Sequence, residues 1–231
     1  MKRVLLSRAL YILLVCFGAL LPGVAGAAGI LVTTTADTVA TDGACSLREA
    51  INNVNAIGET TGGDCIFTTG IDSIVLPAGR YVLTGANGDD ANLSGDLDIF
   101  QPVTIVGAGA ASTVIDGNGA VTNDRVIHII NDVRVSMYSI KITGGNIAGK
   151  WPTGNGGGIF SRGDVSLYNS TIANNTGTDG GGIYSVGYVY LYRSALLNNL
   201  ALNSYGGMAS NSFATVVYAN IIGNSAELPP N

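Results

Sequence analysis

The chain has 231 residues, with 11 Lys+Arg against 16 Asp+Glu, a formal net charge of −5 and a mean hydropathy of +0.36. That length supports one domain with a sizeable core. The acidic balance leaves no basic stripe to neutralise a phosphate backbone, which excludes nucleic acid and anionic lipid as expected partners.

Residues 1–27 read as a secretory signal: Lys2, Arg3 and Arg8 form a basic start, an apolar run follows from Ala9 to Leu21, and Ala25 and Ala27 fit a small-residue cleavage site. The run is too short to span a bilayer. Cleavage near Ala27 therefore predicts a secreted, periplasmic or cell-surface protein, with no stable membrane insertion of the mature chain. The signal takes three basic residues and no acidic ones, leaving 204 residues at a net charge of about −8.

Residues 28–66 are expected to form an N-terminal cap. Cys45 and Cys65 lie on the exported side, where a disulfide is the favoured state, and closing a loop of 20 residues contributes roughly 3 kcal/mol on chain-entropy grounds. Ser46 and Glu49 form an S-x-x-E capping box, and Leu47, Ala50, Ile51 and Val54 share one helical face. A helix from Leu47 to about Asn55 follows, laid over the first coil of what comes next. Arg48 is expected as a solvated charge worth under about 1 kcal/mol, with a nearby carboxylate as the alternative.

From residue 67 to 225 the pattern changes to short apolar stretches separated by Gly, Pro, Asn and Asp: SIVLPAGRYVLT from Ser73, LDIFQPVTIVG from Leu97, STVIDG from Ser112 and RVIHII from Arg125. The segment from Val135 matches that from Val165 at an offset of 30. Beyond Gly157 the chain repeats openly: GGIFS at Gly157, GGIYS at Gly181 and GGMAS at Gly206, in steps of 24 and 25 residues. Leu167, Leu191 and Val216 align across the copies, as do Ile172, Leu196 and Ile221. A period of this length, with strand rather than helix alternation inside it, predicts an all-β fold: a single-stranded right-handed parallel β-helix with a short N-terminal capping α-helix and roughly six or seven coils. Each strand then pairs with its equivalents about 4.8 Å above and below, and side chains such as Ile159, Ile183 and Met208 stack inside.

Asn175, Asn199 and Asn224 also recur, after the inward Ile or Leu, where the strand must turn. Asn tolerates the left-handed bend, and its amide both donates and accepts, so a structural ladder is expected; a sugar-binding row is the competing role. Residues 226–231 form a tail too short to cap the column. The chain is therefore expected to be a piece of a longer protein, or to self-associate end to end through its last coil.

The string CSLREAI (Cys45–Ile51), with VTTTADTVATDGA before it and SIVLPAGRYVLT, DANLSGDLDI and PVTIVGAGAASTVIDG after it, resembles the CSLREA-motif family of bacterial secreted and surface proteins over about residues 30–146. The GGGI and NN repeats that follow resemble those of pectate-lyase-like and polymorphic outer-membrane β-helices. The resemblance implies export and the β-helix fold; it carries no activity.

Enzymes of this architecture need a constellation. Hydrolases use paired carboxylates as acid and base, seen in that family with G-H-G and R-I-K motifs. Here Asp89-Asp90 stands without either motif, and Arg134, Arg162 and Arg193 align with no acidic cluster, so no catalytic residue is assigned. The densest carboxylates, Asp89, Asp90, Asp96 and Asp98, are candidate Ca²⁺ ligands, against the alternative that Asp serves turn chemistry. No other cofactor is implied. Tyr168, Tyr184, Tyr188, Tyr190 and Tyr192 crowd one region with Trp151 nearby, offering stacking surface for sugars or protein, or simply β-propensity. The leading expectation is a non-catalytic β-helix in cell-surface adhesion or carbohydrate recognition, with a polysaccharide or a host or cell-surface protein as partner. A polysaccharide lyase or glycoside hydrolase is the alternative, and a structural passenger or spacer of a longer surface protein a third.

Overall fold

The computed structural model describes residues 29–67, 70, 73–86, 88, 90–147 and 154–227. The expected signal at 1–27, Asp89, Trp151 and the end of the tail lie outside these. The fold is a parallel β-solenoid. Sheet I stacks Ile30–Leu31, Ser73–Leu76, Val103–Gly107, Val135–Tyr138, Val165–Tyr168, Val189–Tyr192 and Ala214–Val217. Sheet II runs from Gly79–Val82 to Asn220–Ile222 in six strands, and sheet III from Leu97–Ile99 to Met208–Ser210 in five. A three-stranded sheet IV, starting at Thr176–Asp179, adds a fourth side to the later coils.

The register is the one the repeat dictates. Ile159 pairs with Ile183 and Ile183 with Met208; Leu167 with Leu191 and Leu191 with Val216; Ile172 with Leu196 and Leu196 with Ile221. The offset of 30 is real, since Val135 lies beside Val165. Alternate residues point inward, so Val165, Leu167 and Ile172 are fully buried while Ser166 and Tyr168 face out. At about 1.5–3 kcal/mol per buried aliphatic side chain, this column is the main source of stability.

Among the described residues there are five complete coils and a partial sixth, about five turns rather than six or seven. Ile74 sits under Ile105 and Ile105 under Met137, steps of 31 and 32 residues, so the early apolar stretches are spread over long coils and do not make extra ones.

Each glycine pair marks a close approach of neighbouring rungs. A Cβ on Gly181 would stand 2.2 Å from the Leu200 carbonyl oxygen, and one on Gly157 2.4 Å from that of Thr176. The left-handed bends fall one residue earlier than expected: Asn174 (φ 56°) and Asn198 (φ 52°) take them, with Gly223 in the third copy. The second asparagine of each pair turns inside instead. Asn175 Nδ2 donates to Asn199 Oδ1 (3.0 Å) and Asn199 Nδ2 to Asn224 Oδ1 (2.9 Å), while the backbone N–H groups of Asn175 and Asn199 donate to the same oxygens. Asn175 and Asn199 are fully buried, so each amide satisfies polar backbone that water cannot reach.

The cap helix, Leu47–Ala56, packs on the first coil, against Leu97–Ile99 and Ser73–Leu76. Its capping box is complete: Glu49 N–H donates to Ser46 Oγ and Ser46 N–H to Glu49 Oε2. Cys45 and Cys65 are joined, Cα to Cα 4.7 Å. The helix also closes the open edge of sheet III: Asn55 Nδ2 donates to the Asp98 carbonyl (2.8 Å) and Asn55 Oδ1 accepts from Phe100 N–H (2.9 Å), as a neighbouring strand would.

Arg48 is not a solvated charge. It is 1% exposed, pairs with both oxygens of Asp37 (2.7 and 3.0 Å), and donates to the carbonyls of Gly95 and Asp96 (2.8 Å each). Burying a guanidinium requires such satisfaction of its fork of donors. At the other end the inward Val216 and Ile221 are 44% and 50% exposed, with no further rung over them among the described residues. Among the described residues no helix is long and apolar enough to cross a membrane.

Candidate functional site

Two places on the outer surface of the column concentrate chemistry. The first lies on sheet III beneath the segment 90–96. Leu97 and Ile99 point into the core, so Asp98 must point out; it is nevertheless fully buried, because the segment folds back over it. Arg48 holds that segment through Gly95 and Asp96, and Asn92 does so through its amide, which donates to the Arg48 carbonyl (3.0 Å) and to Asn52 Oδ1 (2.8 Å). Asn92 N–H in turn donates to Asp98 Oδ2 (2.9 Å). The arginine of the CSLREA string thus orders the loop that covers Asp98.

One rung along, the register places His128 directly beside Asp98 and Phe160 beside His128. His128 Nδ1 stands 3.3 Å from Asp98 Oδ1 and 3.3 Å from Asp90 Oδ1. Ligand atoms of Asp90, Asp98 and His128 all lie within 4.8 Å of one another. The imidazole meets the Phe160 ring edge-on, centroids 5.2 Å apart. Asp96 goes elsewhere: its Oδ2 lies 3.5 Å from Arg125 Nη1, and its N–H donates to Asp124 Oδ2. Burial, and then the charges of Asp98, Asp124 and Asp90, hold the Asp96 carboxyl well above the usual range, against the opposing pull of Arg125.

Of the four carboxylates read from the sequence as metal candidates, the structure brings Asp90 and Asp98 together, sends Asp96 to Arg125, and leaves Asp89 outside the described residues. Sequence reasoning missed His128, Asp124 and Arg125. The signal was there: LDI at Leu97 and IHI at Ile127 are the same strand in successive coils, hidden by a step of 30 residues.

The second place is a groove of about 310 Å³ on the outer face of sheet I, lined by Arg134, Ser136, Ser166, Tyr168, Tyr188 and Tyr190 and flanked by Asp164. Ser136, Ser166 and Tyr190 share one register row, and Tyr138, Tyr168 and Tyr192 the next parallel row. Tyr138 and Tyr168 stack face to face, 4.4 Å apart and 4° from parallel, and Tyr190 tilts over Tyr168 at 5.5 Å. Burial, then the adjacent Tyr168, pushes the Tyr138 phenol upward. The tyrosines do not form one cluster as expected: Tyr184 belongs to sheet III, where it stacks on Phe160 at 5.7 Å. A period of 24 brings equivalent positions together but puts the GGIYS and VYLY tyrosines on different sides of the coil.

Comparison with known proteins adds no assignment: no family model, no curated protein and no solved structure matches the chain.

Proposed function

We propose that the chain is an exported, non-catalytic β-solenoid that recognises carbohydrate at a cell surface. The observation that carries this reading is the tyrosine-lined groove on sheet I. A rigid parallel sheet presents half-buried phenol rings in rows, with hydroxyls of Ser136 and Ser166 and the Arg134–Asp164 pair (3.5 Å) along the same strip. Aromatic faces stack on sugar rings, and the polar tips and hydroxyls bond the sugar's own hydroxyls. The apolar run at Ala9–Leu21 and the small residues at Ala25 and Ala27 support export, and the CSLREAI string, with its resemblance to bacterial secreted and surface proteins, supports the same placement. The buried position of Asp96 and Asp98 favours binding over hydrolysis, since a glycosidic acid–base pair must flank an accessible bond.

The test is a glycan-binding screen of the chain, followed by titration of the best ligand into Tyr190→Ala and Tyr168→Ala. The expected loss is about tenfold or more in affinity per ring, with the thermal midpoint little changed. Background signal across acidic and neutral glycans would overturn the reading.

A further inference from the structure

The Asp90–Asp98–His128 constellation has a feature that ion pairing does not explain. Asp98 Oδ1 and both ring nitrogens of His128 are buried without a hydrogen-bond partner, although Nδ1 is 3.3 Å from two carboxylate oxygens. Neither contact is a hydrogen bond, so a nitrogen and two carboxylate oxygens lie within 4.8 Å of one another without bonding. Unpartnered buried polar atoms are costly and rare. The His128 side chain is 9% exposed and that of Asp98 0% exposed, so water does not relieve them as it relieves Asp90.

We infer that Asp98 Oδ1, His128 Nδ1 and Asp90 Oδ1 form a binding site for a divalent transition-metal ion, with Zn²⁺ the best fit. Ligands at 2.0–2.1 Å in a tetrahedron lie about 3.3–3.4 Å from one another, which matches both Nδ1–O separations. An imidazole ligand suits zinc and its neighbours, whereas Ca²⁺ takes six to eight oxygens, and only two carboxylates converge here among the described residues. Asp98 is already oriented for the role, its Oδ2 held by Asn92 N–H so that Oδ1 faces the imidazole. The ion would join three parts of the chain: the exposed segment at Asp90, the first strand of sheet III at Asp98 and the second at His128. Three protein ligands leave a fourth position open toward the solvent side at Asp90.

The experiment is equilibrium dialysis of the full chain, stripped with chelator, against Zn²⁺ with metal analysis. One ion per chain is expected, lost in His128→Gln and Asp98→Asn and weakened at least about tenfold in Asp90→Asn. Zn²⁺ at about a hundredfold excess over its Kd should raise the thermal midpoint by about 5–10 °C. If His128→Gln does not fold, the exposed Asp90→Asn still decides, read by affinity and by a change in the visible spectrum of the Co²⁺-loaded chain. Absence of stoichiometric Zn²⁺, uptake unchanged in His128→Gln or Asp90→Asn, or displacement of Zn²⁺ by equimolar Ca²⁺ would each overturn the site.

Discussion

Replacing Asn199 by Leu removes the middle member of the buried asparagine ladder without removing volume. Its Nδ2 donates to Asn224 Oδ1 and to the Ile172 carbonyl (3.0 Å), and its Oδ1 accepts from the backbone and the amide of Asn175. Four hydrogen bonds at about 1 kcal/mol each, with the Asn175 N–H left buried at the upper end of the range, come to about 5 kcal/mol. Burying the leucine returns about 2 kcal/mol, so the net loss is about 3 kcal/mol. For a chain of this size that lowers the thermal midpoint by about 6–12 °C, measured by circular dichroism. Asn224→Leu should cost less, because Asn224 makes three such bonds rather than four and is itself only half-buried. An unchanged midpoint in Asn199→Leu, or equal losses at the two positions, would refute a ladder that acts by satisfying buried backbone.

Arg48→Met should destabilise by about 3–5 kcal/mol in urea unfolding, because Asp37 and the carbonyls of Gly95 and Asp96 lose their buried partner. Adding Asp37→Asn should recover part of that loss, and no recovery would mean that the guanidinium acts by packing alone. Cys45→Ser with Cys65→Ser should lower stability by about 3 kcal/mol, with hydrogen-exchange protection falling first in the cap helix; uniform loss across all coils would contradict a local tether. Gly181→Ala puts a methyl group 2.2 Å from the Leu200 carbonyl oxygen and should cost more than about 3 kcal/mol, whereas Gly58→Ala, with nothing nearer than 3.7 Å, should fall within about 1 kcal/mol of the parent. Similar midpoints for these two would show that the rungs are not in close contact at the glycine pairs.

Sequence periodicity by itself determined the solenoid, its register from Val135 onward, and the cap helix with its capping box. Those features are local or repeat at a nearly constant step, so like residues announce their own neighbours. What depended on tertiary structure is wherever the step is irregular or the contact spans different elements. Arg48 and Asp37 are 11 residues apart, and neither the burial of the arginine nor its hold on residues 92–96 follows from any period. Asp98 and His128 meet only because two coils of about 30 residues place LDI beside IHI, and Asp98 is buried only because a loop anchored by the helix folds over it. The tyrosines make the same point in reverse: only six residues apart, Tyr184 and Tyr190 are separated by a corner of the coil, since a solenoid sorts side chains by their position within the repeat.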